Sequence, residues 1–222
     1  MVKVLTFLSR KAGMPVEEFQ AYWRTRHPDA VTRLPGIRRY VQSHVLPAMY
    51  AKGEPLHDGI AEVWAEDTDA LRAMTRSPVH AELQADEARF IDRARMEFIV
   101  TEDHVVTDGP VPVGAVKAVE LLSRKPGLAV EAFQDHWRAH AALAARIPGL
   151  RRYVVSATRA AAYGAGRSPA YDGAALLWFD SMEALRAAGA SAEYRAVVAD
   201  RAAFLTPAAP PFLVTREHVI VG

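Results

Sequence analysis

None of the 222 residues is a cysteine. That removes disulfides, thiolate nucleophiles and cysteine-based zinc or iron–sulfur sites together. Any chemistry falls to histidine, tyrosine, carboxylate, arginine, tryptophan or a bound group. An excess of charge is missing as well, since 27 lysines and arginines stand against 26 aspartates and glutamates. Without a basic field a protein has little with which to displace the counterions of a polyphosphate, so no nucleic-acid partner is expected. No apolar run approaches the roughly 20 residues that cross a bilayer. Strand-like sequence begins directly at Met1-Val2-Lys3-Val4, and the expectation is a cytoplasmic protein with no membrane partner. The eight histidines include no His-Glu helical motif, so no metal site is expected.

What the chain does contain is a repeat. LSRKAGMPVEEFQAYWR (Leu8 to Arg24) returns as LSRKPGLAVEAFQDHWR (Leu122 to Arg138), 114 residues on. RLPGIRRYV (Arg33 to Val41) returns as RIPGLRRYV (Arg146 to Val154), now 113 apart because one residue is missing between the two matches. The register then recovers at Asp58-Gly59 and Asp172-Gly173, and holds to His104-Val105 and His218-Val219. A long period present only twice points to a duplicated domain and not to a solenoid unit. The Pro/Gly-rich run after Asp108 is the natural seam. The expected division is a first repeat over 1–108, a linker over 109–115 and a second repeat over 116–222.

Within one repeat, Val2 to Leu8 reads as a buried strand ended by Arg10 to Gly13. Pro15 with Glu17 and Glu18 opens a helix whose apolar positions are Val16, Phe19, Trp23, Ala30, Val31 and Leu34, with His27 on the same stripe. Pro35-Gly36 stops it. Ile37 to Val45 is a second strand carrying Tyr40, Gln42 and His44 on one face. Ile60 to Ala65 is a third strand, Asp67-Thr68-Asp69 caps a helix interrupted at Ser77-Pro78, and Phe98 to Val106 closes the unit. The order is βαββαβ, a ferredoxin-like α+β pattern. On the last strand Phe98 and Val100 alternate with Ile99, so both faces of the sheet call for cover, and two repeats packing sheet to sheet would supply it.

These residues carry a family resemblance. Glu17-x-Phe19-x-x-x-Trp23-x-x-x-His27, then Pro35-Gly36-x-x-x-Tyr40, then Asp58-Gly59 before a Trp-bearing strand, then Asp86-x-x-x-Phe90, together resemble the EthD domain over residues 2–108 and again over 116–222. The resemblance implies two ferredoxin-like repeats forming an intrachain dimeric α/β-barrel, with a small-molecule pocket in each unit between sheet and helices. Related barrels include cofactor-free cyclases, dehydratases and decarboxylases, cofactor-free quinone-forming monooxygenases and, more distantly, haem peroxidases. The Gly-x-x-Asp-Gly motif of the dye-decolourising haem group is absent here, and no cofactor is expected. A shared fold fixes architecture far better than reaction.

The candidate catalytic residues are His27, His104, Tyr40 and His44. A helix-borne imidazole on the sheet-facing stripe, as His27 is read, suits general acid–base work, although a core histidine bonded to backbone fits the same pattern. His104 would pair with His27 if its face meets the helices, and would pack in the sheet if it does not. Trp23, Tyr50, Asp58 and Trp64 are candidates for holding substrate, against core, turn and packing roles for each. The second-repeat equivalents are His140, His218, Tyr153 and Trp137. Trp137-x-x-His140 is one residue shorter than Trp23-x-x-x-His27, so either a local adjustment keeps His140 on the stripe or Ala141 replaces it. His44 becomes Ala157. On these losses the first repeat is expected to hold the working site.

The expected function is a cofactor-free enzyme acting on a small hydrophobic, aromatic or polyketide-like compound by cyclisation, dehydration or decarboxylation. A cofactor-independent monooxygenase and a non-catalytic binding protein are the alternatives. The fused repeats satisfy barrel formation as a monomeric pseudo-dimer, and a homodimer through other surfaces is equally open.

Overall fold

The computed structural model describes residues 1–51, 53–164 and 167–222. The chain is α+β and passes twice through one order of elements. The first pass is β1 (Val2–Leu8), α1 (Val16–Thr25), α2 (Pro28–Val31), β2 (Ile37–Val45), α3 (Pro47–Tyr50), β3 (Gly59–Ala65), α4 (Thr68–Arg76), α5 (Pro78–Phe90) and β4 (Glu97–Asp108). The second is β5 (Val116–Leu122), α6 (Val130–Ala144), β6 (Leu150–Thr158), β7 (Gly173–Phe179), α7 (Met182–Gly189), α8 (Ala192–Asp200) and β8 (Phe212–Val221). The hydrogen-bonded strand order is β1-β3-β2 in the first unit and β8-β5-β7-β6-β4 in the second. Two compact units make up the chain. One is Met1–Val100 with Glu217–Gly222, the other Thr101–Arg216.

In the first unit β3 pairs antiparallel with β1 and with β2, Ala61 facing Thr6 on one side and Gln42 on the other. Ala61, Val63 and Ala65 alternate onto the face covered by helices, where they join Val31, Leu34, Tyr40, Met74 and Leu83. Ile220 and Val221 pack on this same core. A second cluster holds Leu8, Phe19, Trp23, Phe90 and Ile91. The break at Ser77-Pro78 has a local cause: Ser77 is extended, its hydroxyl accepts from the Val79 N–H, and Pro78 occupies the first helical position, where a missing N–H costs nothing. Asp67 caps α4 by accepting from the Ala70 N–H at 2.8 Å. In the second unit β5 and β7 are buried along their whole lengths, and β7 pairs with both β5 and β6.

The helix bearing His27 is not continuous, as the apolar spacing implied. α1 ends at Thr25, and both the Arg26 and His27 N–H groups point to the Tyr22 carbonyl, at 2.9 and 3.2 Å. The second of these spans five residues, a π-type bulge that takes up one extra residue. Pro28, which has no N–H, follows at once. In the second repeat Ala141 stands where Pro28 would, and α6 runs unbroken through His140. The bulge therefore absorbs the one-residue difference between the repeats.

The Asp-Gly pair at each third strand also has a packing reason. A Cβ on Gly59 would collide with the ring of Trp23, and one on Gly173 with the ring of Trp137. Glycine is what lets the helix tryptophan lie against the strand.

Candidate functional site

His27 and His140 take equivalent places. The Nδ1 of His27 lies 2.8 Å from Asp86 Oδ2, and the Tyr22 hydroxyl donates to the other oxygen at 2.6 Å. The Nδ1 of His140 lies 2.7 Å from Asp200 Oδ2, which His136 Nε2 also meets at 3.2 Å. Each carboxylate fixes the proton on Nδ1 and leaves Nε2 as the basic nitrogen. Burial lowers the pKa of both imidazoles, and the carboxylates only partly oppose it. On the carboxylates burial works upward, and the hydrogen bonds from Tyr22 and His27 to Asp86, and from His140 and His136 to Asp200, overcome it. Of the two sequence readings, the one that keeps His140 on the stripe holds. Its partner is a side chain and not a strand carbonyl.

The first unit carries a chain of polar groups on one face of β2. Trp23 Nε1 donates to the Tyr40 hydroxyl at 3.1 Å, Gln42 Nε2 donates to the same oxygen at 3.0 Å, and Gln42 Oε1 accepts from His44 Nε2 at 3.0 Å. His44 stacks on Trp23, with ring centroids 4.3 Å apart and planes 8° from parallel. His218 meets His44 edge-on at 4.6 Å and also contacts the Arg24 guanidinium. Burial, then the His218 and Arg24 charges, push the His44 pKa down to about 3. Burial drives Tyr40 well above the usual phenol range. These two groups are neutral at pH 7.

The second unit keeps the frame and empties the middle. Gln134 ties α6 to β6 by donating to the Thr158 carbonyl at 3.1 Å, as Gln20 ties α1 to β2 at the Val45 carbonyl at 2.8 Å. Tyr153 is buried like Tyr40, and burial raises its pKa in the same way. Val155 and Ala157 replace Gln42 and His44, however, and a cavity of about 420 Å³ opens there. Trp137 and Gln134 from α6, and Val155 and Ala157 from β6, form its walls. His104 faces it from β4, where it pairs directly with Val155. Arg138 lies beside it, and an ion pair between Glu102 and Arg159 at 2.8 Å stands on its rim.

His104 thus belongs to the second unit and His27 to the first, and the expected His27–His104 pair is not formed within either unit. The helix histidine of the second unit, His140, lines a separate internal void of about 30 Å³ with Tyr153, Glu120 and Arg201. Trp137 borders both spaces. The cavity beside Trp137 lies in the second unit, where Val155 and Ala157 in place of Gln42 and His44 leave room, whereas the sequence points to the first repeat as the working one.

The other expected substrate-binding residues have partners of their own. Asp58 accepts from the Arg10 N–H and the Tyr50 hydroxyl, both at 2.8 Å, and pairs with the Arg10 guanidinium. Asp172 repeats this with Arg124 and Tyr163. Burial, reinforced by Asp58, raises the Tyr50 pKa. Trp64 sits under two cations, Lys3 at 5.1 Å and Arg39 at 5.0 Å, and Trp178 sits under Lys117 and Arg152. Arg39 of β2 and Arg152 of β6 are thus each held against an indole face. Gln134, Arg138, Glu102 and Arg159 escaped the sequence reading, although the spacing of Gln134 and Arg138 about Trp137 places them on one helix face.

Among the described residues no helix is long and apolar enough to cross a membrane, and no group of three or more His, Asp or Glu is placed to hold a metal ion. Fold and repeat define a tandem protein of the dimeric α/β-barrel class. The EthD domain model matches residues 11–94 and again 125–208, and the chain belongs to the EthD family. A solved structure of an anthrone oxidase-like protein aligns with a TM-score of 0.67 at 15% identity, covering 100% of this chain and 94% of that one. A proposed monooxygenase of Lactobacillus acidophilus NCFM aligns at 0.59 and 11% identity, covering 98% of this chain and 94% of that one. An ethyl tert-butyl ether D (EthD) family protein of Bacillus halodurans C-125 is 28% identical, covering 47% of this chain and 99% of that one, with a TM-score of 0.36. No curated protein sequence matches.

Proposed function

We propose that the protein is an enzyme that binds a small aromatic compound in the second-unit cavity and removes a proton from it, with His104 as the base. The observation that carries this reading is the cavity itself. Its volume of about 420 Å³ lies in the range of small-molecule sites, roughly 300–1,000 Å³. Its lining by Trp137, Val155 and Ala157 suits a ring system, and the His104 imidazole lines it as well. Arg138 beside the cavity would stabilise the phenolate or enolate that deprotonation leaves. Cyclisation, dehydration and decarboxylation of polyketide-like compounds proceed through such anions. His27 and His140, locked to carboxylates under the helices, then serve to position those helices.

A second reading starts from the same proton transfer. Two solved structures of this fold are described as an anthrone oxidase-like protein and a proposed monooxygenase. If the carbanion of an anthrone-like methylene meets dioxygen, one oxygen atom becomes the new carbonyl and the other leaves as water. Incubation with anthrone in air and under argon separates the two readings. Quinone formation with oxygen uptake favours the oxygenase, and oxygen-independent turnover of a β-polyketone substrate favours the cyclase or lyase. Tight binding of both compounds without turnover of either would overturn the enzymatic reading in favour of a binding protein.

A further inference from the structure

We infer that one strand position, His44 in the first repeat and Ala157 in the second, decides which unit takes a ligand, so that the chain has one aromatic site and not two. The inference deepens the reading of the second-unit cavity and rests on it. The frames around the two positions are alike: a helix tryptophan over an Asp-Gly strand start, a buried tyrosine, and a glutamine tying helix to strand. What differs is the filling.

In the first unit the space against the indole is occupied by the protein's own imidazole. His44 lies parallel to Trp23 at 4.3 Å, the geometry a bound aromatic ring would adopt. It is held there by its hydrogen bond to Gln42, and Gln42 is itself anchored by donating to the Trp23 carbonyl at 2.7 Å. His218 closes on it from the side. In the second unit both members of this plug are gone together. Ala157 leaves the ring volume unfilled and Val155 removes the anchor, and the cavity occupies the result. His44 acts as a built-in ligand, and its removal in the second repeat makes that site competent.

Titration of the purified full-length protein with 2-naphthol, followed by calorimetry and tryptophan fluorescence, tests this with two variants. Wild type is expected to bind one equivalent, Gln42→Val/His44→Ala two, and Ala157→Phe none, or at least ten-fold more weakly. One equivalent bound by wild type and by Gln42→Val/His44→Ala, with none bound by Ala157→Phe, would overturn the inference while leaving the cavity reading intact, and one equivalent bound by Ala157→Phe would overturn both. If wild type binds none, the functional reading falls, and crystal structures of the variants decide the inference alone. A new cavity against Trp23 in Gln42→Val/His44→Ala, and a filled one against Trp137 in Ala157→Phe, would uphold it. Collapse of Trp23 into the vacated space would overturn it.

Discussion

Trp137 covers Gly173 so tightly that a Cβ at 173 would stand 2.5 Å from the indole and 2.7 Å from the Ser156 carbonyl oxygen. No real side chain tolerates such distances without movement of the helix or the strand. Gly173→Ala is therefore expected to destabilise the protein by about 1–3 kcal/mol, the usual cost of overfilling a packed site. Urea unfolding would show it as a lower midpoint at unchanged slope. Gly59→Ala beneath Trp23 should behave alike, and a midpoint equal to wild type in both would refute the packing reason for the Asp-Gly pairs.

The clasp at Asp58 gives a second expectation. Its buried carboxylate accepts from the Arg10 backbone and from Tyr50, and pairs with the Arg10 guanidinium. Asp58→Ala leaves the arginine and the phenol without their acceptor, and should cost about 3 kcal/mol or more. Tyr50→Phe removes one neutral donor and should cost about 1 kcal/mol. Equal losses from the two substitutions would show that the clasp is not centred on the carboxylate.

Acid should weaken the fold from a higher pH than carboxylate protonation alone would allow. Burial lowers the pKa of His27 and His140, takes His44 to about 3 and, with the Arg95 charge, His57 to about 4. A histidine with a lowered folded pKa contributes stability that is present above its unfolded pKa of about 6.5 and lost as pH falls below it. In that range the unfolded chain binds the proton and the folded one does not, at up to about 1.4 kcal/mol per pH unit for each histidine. Urea midpoints should fall between pH 7 and pH 5. The slope of that fall should be shallower in Gln42→Val/His44→Ala, and an unchanged slope would mean that His44 protonates without penalty.

On the proposed function, His104→Ala should lower turnover of the aromatic substrate by roughly 10²- to 10⁴-fold, the range typical of a lost general base. Substrate affinity should stay within a few-fold, since Trp137, Val155 and Ala157 supply the binding surface. A large rise in KM with kcat preserved would instead make His104 a binding group.

Much of the fold was legible because strands and breaks obey local rules. β1 and β2 fall where β-branched residues and Pro35-Gly36 place them, and the repeat identified the architecture. The split at His27 was not legible, because helical spacing carries no sign of a five-residue hydrogen bond, although Pro28 and the missing residue in the second repeat are its traces. Phe98, expected to be covered, is 60% exposed, since alternation tells which residues share a face and not whether that face is packed. Of the candidate residues, the grouping was legible and not the role. Trp23, Tyr40 and His44 do converge, with Gln42 linking them. The cavity was missed because sequence reading seeks functional groups, and a cavity is made by what small residues such as Ala157 leave out.

The difference between His44 and Ala157 depends on both copies belonging to one polypeptide. Where two identical chains assemble, each substitution appears in both partners, and a plug in one site is a plug in the other. Joining the copies end to end frees each position to mutate alone. A closed first copy can then be retained for stability while its twin explores new ligands, a division of labour that a symmetric homodimer has no genetic means to encode.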